Sequence, residues 1–168
     1  IKPFLRDLFK ACKDLNKEIL FVNDGSTDRT LEILKKASKN KKDTRIISYE
    51  KNKGKGAAVK KGVLSANGKK VMFIDADGSI HPNQIKRMSE LLDEYDVVVG
   101  SRSHRNSEVK QPELRKLTGI SFNTYANLLF DIKISDTLCG FKGFKADIGK
   151  KLFKKMISTG WTFDVELF

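Results

Sequence analysis

Apolar residues form two alternating patterns along the first hundred residues, short continuous runs and stretches with helical spacing. The continuous runs predict buried strands, which lie at 18–22, 45–49, 70–74 and 96–100. Apolar residues three or four positions apart predict helices at 3–16, after Asp28, at 55–66 and at 82–92. This alternation of strands and helices predicts an α/β fold with a mainly parallel sheet flanked by helices.

A polar cluster follows each of the four predicted strands. The clusters are NDGSTD at 23–28, EKNKGKG at 50–56, DADGS at 75–79 and GSRSHR at 100–105. Because the carboxyl ends of parallel strands meet at one edge of a sheet, we expect all four clusters to line that edge. Binding groups of open α/β sheets lie at that edge, so the clusters hold the candidate functional residues.

Longer apolar segments occur in the second part of the chain. Residues 112–130 carry large apolar side chains on more than one face, which predicts a helix packed in the core, against lipid or against a partner. A loop and a short strand are expected within 136–147. Apolar residues opposite lysines over 148–157 predict an amphipathic helix, whose lysine face is either solvated or in contact with an anionic membrane.

Composition narrows the class of protein only a little. The chain has 168 residues, 39% hydrophobic and 32% charged, which is typical of one globular domain. Its net charge of +12 indicates an anionic partner (nucleic acid, phosphorylated substrate or acidic lipid) or a general lysine enrichment typical of heat-stable proteins. The two cysteines, Cys12 and Cys139, lie in no CxxC pair and are expected to be buried thiols.

Two carboxylates, Asp75 and Asp77, directly follow the third predicted strand. Like charges this close need compensation, and one candidate for it is a divalent cation shared with the diphosphate of a nucleotide sugar. A phosphatase of the haloacid-dehalogenase type is an alternative, with Asp75 as nucleophile, because DADGSI resembles the D-x-D-G-T motif of that family. That family also needs a later acidic pair for Mg²⁺, whereas Gly100 is followed by the basic segment SRSHRNS.

Taken together, the clusters resemble those of the family 2 inverting glycosyltransferases, which have the Rossmann-like GT-A fold. VNDGSTDRT resembles the nucleotide-binding turn of that family and DADGS its metal-binding D-x-D. VVGSR resembles the end of its next strand, and NKGKGAAVKKGVLSANG the helix after its second strand. The resemblance covers nearly the whole chain, with the motifs in the expected order.

Two later motifs narrow the resemblance to one branch of the family. DTLCGFKGF and WTFDVELF are similar to the polyprenyl-phosphate branch. Within it, the chain is more similar to dolichyl-phosphate β-glucosyltransferases than to dolichyl-phosphate mannose synthases. The mannose synthases usually have a glutamine soon after the D-x-D, where this chain has Gly78 and Ser79.

On the donor side, the resemblance implies a role for five residues. Asp24 would contact the uridine, with Lys55 and Gly56 near the base. Asp75 would hold ribose or sugar hydroxyls and face the metal, and Asp77 would bind Mg²⁺ or Mn²⁺. For Asp24 the structural alternative is a turn residue that bonds nearby backbone, as aspartates often do.

On the acceptor side, the resemblance implies that Arg102 and Arg115 hold the acceptor phosphate or the donor diphosphate. Asp164 and Glu166 lie where relatives place an acidic pair near the acceptor. Surface cations are the alternative for the two arginines, and a purely structural role is the alternative for the two acids.

The implied reaction is the metal-dependent, inverting transfer of a hexose, glucose or mannose, from a UDP- or GDP-linked donor to a polyprenyl or dolichyl phosphate. It is expected at the cytoplasmic face of a membrane, with the protein peripheral to it or anchored in it. Family members open with a strand that ends in a Pro-x-Tyr-Asn-Glu-like motif, and Ile1 already lies in the helix expected after it. We therefore expect a single catalytic domain over 1–168, lacking its first strand and truncated at both ends.

A non-catalytic basic module that binds nucleic acid or lipid head groups is the alternative from another class. Such a module predicts binding with a steep salt dependence and no requirement for Asp75 or Asp77. The sequence contains no recognisable nucleic-acid-binding motif, and its aromatic residues fall in apolar patterns rather than among the lysines. A nucleic-acid partner is therefore not expected.

Overall fold

The computed structural model of the protein describes residues 1–101 and 139–167. The helices are Lys2–Ala11 (α1), Thr30–Ser38 (α2), Lys55–Ser65 (α3), Gln84–Glu94 (α4), Ala146–Lys155 (α5) and Phe163–Glu166 (α6). The strands are Ile19–Asp24 (β1), Thr44–Tyr49 (β2), Lys70–Ile74 (β3), Val97–Val99 (β4) and Phe141–Lys145 (β5). All four strands predicted from continuous apolar runs are present. The helix predicted within 112–130 lies outside the described residues.

Strands β1 and β2 form a parallel pair, and α2 connects them. Asp24, the last residue of β1, pairs with Tyr49, the last residue of β2. One residue earlier, the buried side chain of Asn23 donates a hydrogen bond to Ser48 Oγ at 3.0 Å. The polar clusters after both strands therefore begin at the same edge.

Strands β3, β5 and β4 form a second sheet in that order, with β5 in the centre. Both outer strands are antiparallel to β5, so β3 and β4 are parallel to each other. Ile74, at the carboxyl end of β3, pairs with Phe141, the first residue of β5. The parallel direction of β3 and β4 agrees with the prediction, and β5 is the short strand expected within 136–147. Its antiparallel direction and its place between β3 and β4 were not predicted, because a short strand pattern carries no sign of strand direction.

Buried apolar side chains form three clusters within the described residues. The cluster beneath α3 and α5 contains Val63, Val71, Phe144, Phe153, Met156, Phe163 and Leu167. The cluster beneath α1 contains Phe4, Leu8, Cys12 and Ile19, and the cluster beneath α4 contains Met88, Leu92, Cys139 and Phe141. Partly buried Ile74 packs against the second and the third cluster, so the core is continuous from α1 to α4.

Cys12 and Cys139 are both buried and neither forms a disulfide, as the sequence predicted. Among the helices of the described ranges, none combines the length and the hydropathy that are needed to cross a bilayer.

Candidate active site

Asp75 stands at the carboxyl end of β3, directly against the start of the segment that leads into β5. Its backbone N–H donates a hydrogen bond to the carbonyl of Gly140 at 2.9 Å. Its carboxylate occupies the space in which a β-carbon on Gly140 would lie, so a larger residue at position 140 would displace it. The glycine of the CGFK sequence is thus explained by the close approach of Asp75.

The side chain of Lys55 reaches Asp75 from the first residue of α3. Lys55 Nζ donates a hydrogen bond to Asp75 Oδ2 at 2.7 Å, and the two side chains are 15% and 30% exposed. The pair joins the cluster after β2 to the cluster after β3. Lys55 was expected near the base of the nucleotide, and the structure gives it a carboxylate partner at the candidate site.

Asp24 connects the ends of β1 and β2. Its Oδ1 accepts a hydrogen bond from the backbone N–H of Lys53 at 2.8 Å, and its Oδ2 accepts one from Gly54 at 2.9 Å. Gly54 has a positive φ of 98°, which favours glycine. Asp24 therefore holds the loop that leads into α3, and a contact of this residue with the uridine stays a prediction.

Residues 157–162, called the 157–162 loop below, pack against the beginning of α3. The backbone N–H of Ala57 donates a hydrogen bond to the carbonyl of Thr159 at 3.1 Å. Gly56 is buried, and a β-carbon there would lie 2.7 Å from the carbonyl oxygen of Ser158. Gly56 therefore allows the two backbones to approach closely, which places Lys55 at the site; its predicted proximity to the base stays a prediction.

Asp77 lies in an exposed turn two residues after Asp75. Its Oδ1 accepts a hydrogen bond from the backbone N–H of Ser79 at 2.9 Å, a common arrangement for aspartate in a turn. In residues 1–101 and 139–167, no three acidic, histidine or cysteine side chains converge as a metal site would require. One or two carboxylates together with substrate phosphates suffice for Mg²⁺, so Asp77 and Asp75 fit a metal that is held jointly with the donor.

A second ion pair, between Lys142 and Asp164, lies in the interior near the first. Lys142 Nζ donates hydrogen bonds to Asp164 Oδ1 and, at 2.9 Å, to the carbonyl of Cys139. The two side chains are 0% and 2% exposed. Burial lowers the pKa of Lys142 and raises the pKa of Asp164, while their mutual attraction opposes both changes. The electrostatic influence of Lys55 reaches both groups, so the two pairs form one charged cluster.

Lys142 was not among the residues predicted from the sequence. One signal was present in the sequence. Lys142 lies two residues before Phe144 in β5, so both side chains are on the same face of the strand, and Phe144 belongs to the core. A lysine on a core-facing position needs a buried anionic partner. The position of that partner, 22 residues later, depends on how α6 packs.

Glu166 occupies a different position from Asp164, although the two were predicted as an acidic pair. Its carboxylate accepts hydrogen bonds from the backbone N–H groups of Ile157 at 2.6 Å and Ser158 at 2.7 Å. These donors hold the pKa of Glu166 below its usual value. Glu166 thus fixes the start of the 157–162 loop, and Asp164 lies at the charged cluster. The contribution of either acid to acceptor binding stays a prediction.

The fourth polar cluster is described only at its beginning. Gly100 donates a backbone hydrogen bond to the carbonyl of Phe141 at 2.9 Å, which puts the end of β4 beside the start of β5. Arg102 and Arg115, predicted to bind phosphate, lie outside the described residues. The structure therefore brings the first three clusters and the start of the fourth to one side of the molecule.

Comparison with solved structures defines the class of fold. The protein is similar to glucosyl-3-phosphoglycerate synthase from Mycobacterium tuberculosis in its complex with UDP, with a TM-score of 0.69 at 20% identity over 98% of this chain and 58% of the other. The same enzyme in complex with Mn²⁺, UDP-glucose and glycerol 3-phosphate gives a TM-score of 0.62 at 17% identity, over 97% of this chain and 67% of the other. The fold is therefore that of the GT-A glycosyltransferases.

The sequence identifies the family. Residues 1–153 match the model of Glycosyl transferase family 2, and the chain belongs to this family. It is 31% identical to the dolichyl-phosphate β-glucosyltransferase of Dictyostelium discoideum over 98% of this chain and 53% of that protein. It is 35% identical to the Saccharomyces cerevisiae enzyme of the same name over 89% of this chain and 51% of that protein. The chain thus spans about half the length of these curated relatives.

Proposed function

We propose that the protein transfers glucose from UDP-glucose to dolichyl phosphate or a related polyprenyl phosphate, with inversion at the anomeric carbon. The observation that carries the proposal is the pairing of Lys55 with Asp75 beside Asp77 at the end of β3, in a family 2 chain. The names of the relatives support glucose and dolichyl phosphate, and a structural neighbour that holds UDP-glucose supports the donor.

Asp77 and Asp75 are the residues that would hold Mg²⁺ or Mn²⁺. A cation held there together with the donor diphosphate would supply positive charge against the negative charge that develops on the leaving group. The Mn²⁺ in the complex of the structural neighbour supports this choice of metal. Lys55 balances the negative charge of Asp75 and positions its carboxylate, since the two groups share a short hydrogen bond.

The acceptor phosphate is the nucleophile in this proposal. With a second pKa near 6, it is mostly a dianion at pH 7 and needs no general base. The arrangement of the acids agrees, because Asp75 and Asp164 each form an ion pair with a lysine. A phosphate oxygen bonds to the anomeric carbon as the bond to the diphosphate breaks, and UDP leaves.

Arg102 and Arg115 would position the dianionic acceptor beside the negatively charged donor. Guanidinium groups suit this task because they bind phosphate in a bidentate geometry. We place the reaction at the surface of a membrane, since the proposed acceptor is a lipid, and the cytoplasmic face stays an expectation from the resemblance to the polyprenyl-phosphate branch.

A transfer assay tests the proposal. The protein is incubated with UDP-glucose, GDP-mannose or UDP-N-acetylglucosamine, with dolichyl phosphate and Mg²⁺ or Mn²⁺, and the glycolipid is quantified. We expect glucosyl lipid from UDP-glucose, no product with EDTA, and at least a hundredfold loss in Asp77→Asn, the scale of one electrostatic contact at a reacting site. Asp147→Asn, an exposed aspartate in the first turn of α5, is the matched control. Normal transfer by Asp77→Asn would contradict the metal assignment, and absence of any glycolipid would contradict the function.

A further inference from the structure

Two large apolar side chains of the 157–162 loop project into solvent. Ile157 is 87% exposed and Trp161 is 73% exposed. The other large apolar side chains with substantial exposure in the described ranges, Tyr95 and Ile1, lie at the end of α4 and before α1. An exposed isoleucine and an exposed tryptophan on one short loop are suited to contact with another apolar phase.

This loop is fixed to the rest of the molecule at several points. Glu166 accepts two backbone hydrogen bonds at Ile157 and Ser158, and Ala57 donates to Thr159. Lys60 Nζ donates to the carbonyl of Met156 at 2.6 Å, just before the loop. The exposure of its apolar residues is therefore built into the fold.

A row of lysines on α5 lies directly before the loop. Lys151, Lys154 and Lys155 are all exposed, and their spacing of three and four residues puts them on one face of the helix. Such a basic face next to apolar side chains matches a bilayer with anionic lipid, in which lysines meet the head groups and tryptophan sits at the interface.

The same surface borders the candidate active site. Lys55 Nζ lies 4.8 Å from the centre of the Trp161 ring, and the same ammonium group bonds to Asp75. A membrane that covered Trp161 would therefore lie beside the carboxylates at the end of β3.

We propose that Lys151, Lys154, Lys155, Ile157 and Trp161 form a docking surface for an anionic bilayer. In terms of mechanism, docking brings the head group of a lipid phosphate to the Lys55–Asp75 pair without removing its chain from the membrane. The link to catalysis rests on the proposed function, whereas binding to the bilayer can be measured without any turnover.

Trp161 is the only tryptophan of the chain, so its fluorescence reports on this surface alone. The protein is mixed with vesicles of phosphatidylcholine alone or with 30% phosphatidylserine, and both emission and co-sedimentation are recorded. We expect a blue shift and co-sedimentation with the anionic vesicles, both weakened at high salt. Unchanged emission together with absence of co-sedimentation would overturn the proposal.

Variants identify the residues that bind. Lys151→Gln/Lys154→Gln/Lys155→Gln should weaken partitioning at least tenfold, given the attraction of each lysine to an anionic surface. Ile157→Ser should weaken it severalfold and reduce the blue shift. The matched controls are Lys35→Gln/Lys36→Gln/Lys39→Gln, an equally exposed lysine triple on and just after α2, and Tyr95→Ser. Equal loss in test and control variants would overturn the surface assignment.

Four outcomes separate this proposal from others. If UDP-glucose quenches the emission and anionic vesicles leave it unchanged, Trp161 contacts the donor and the bilayer proposal is wrong. Transfer to a water-soluble, short-chain polyprenyl phosphate by the α5 lysine triple variant should equal that of the unmodified protein. Vesicle binding without transfer would contradict the proposed function alone, and transfer without vesicle binding would contradict the docking surface alone.

Discussion

Lys142 and Asp164 form an ion pair that is almost completely withdrawn from water, next to the partly buried pair of Lys55 and Asp75. Burying two charges is costly, and attraction between them with further hydrogen bonds offsets the cost. Here the carbonyl of Cys139 provides the extra acceptor. The pair thereby joins α6 to the beginning of β5, which in turn contacts Asp75 through Gly140. We therefore infer that the Lys142–Asp164 pair helps to hold Asp75 in position.

Breaking this pair on one side should be strongly destabilising. Asp164→Asn leaves the Lys142 ammonium buried with a neutral partner, and we expect a loss of about 3 kcal/mol in the free energy of unfolding. Urea denaturation measures this change. The exposed pair of Lys145 and Asp96, whose side chains are 37% and 63% exposed, is the control. Asp96→Asn should cost less than about 1 kcal/mol. The double variant Lys142→Met/Asp164→Leu should recover most of the stability, because it removes both buried charges. If Asp164→Asn did not destabilise the protein, the negative charge of Asp164 would not be essential to the fold.

The position of Asp75 should depend on Gly140. Gly140→Ala introduces a methyl group where the Asp75 carboxylate lies, so the carboxylate has to move away from Lys55. We expect a loss of at least tenfold in glucosyl transfer, because displacements near 1 Å already cost that much at a reacting site. Gly160→Ala is the control, since a β-carbon at that position meets nothing within 4 Å. Circular dichroism should show both variants folded, and full activity of Gly140→Ala would exclude this constraint.

Lys55 should affect catalysis more than neighbouring lysines. Lys55→Met removes the partner of Asp75, so two carboxylates then face the donor diphosphate without this ammonium group. We expect a higher KM for the donor and a lower kcat. Together these changes should lower kcat/KM at least tenfold. Lys51→Met, an exposed lysine four residues earlier, should leave both constants unchanged. Equal effects of the two substitutions would indicate a general effect of charge.

Glu166 should make stability depend on pH. Its pKa is lowered in the folded protein by the N–H groups of Ile157 and Ser158, so its carboxylate stabilises the fold above the usual glutamate pKa. That contribution is lost as the pH falls through the lowered pKa. The difference in Tm between the unmodified protein and Glu166→Gln should be largest at pH 7 and should shrink below about pH 4. Glu94→Gln, at an exposed position at the end of α4, is the control. A Tm difference that stays constant from pH 7 to pH 3 would contradict this role.

Most of the fold could be predicted because strands and helices leave local patterns. The runs that became β1 to β4, and the helical spacing around Leu8, Leu34, Val63 and Met88, each depend on a few neighbouring residues. The D-x-D at Asp75 and Asp77 was also recognised, since it follows a strand directly. The direction of β5 was not predictable, because pairing with two strands distant in sequence determines it.

The partners of the site residues were not predictable for the same reason. The contacts of Asp24 with residues 53 and 54 span 29 and 30 positions, and that of Lys55 with Asp75 spans 20. Glu166 was predicted from the sequence as one of an acidic pair near the acceptor. Its hydrogen bonds with the 157–162 loop could not be predicted, because they depend on the turn that precedes α6. A residue type suggests a chemical capacity, and tertiary packing decides where that capacity is used.

The hydrogen bonds that fix the 157–162 loop, from Ala57 to Thr159 and from Ile157 and Ser158 to Glu166, also have a consequence for synthesis on the ribosome. The parallel pair β1–β2 is complete once residue 49 has left the exit tunnel. Lys55 acquires its surroundings only about a hundred residues later, when the 157–162 loop and α6 emerge. The nascent chain therefore carries an unfinished candidate site while the residues between Lys55 and Glu166 are translated, and chaperones that recognise exposed apolar strands have that interval in which to act.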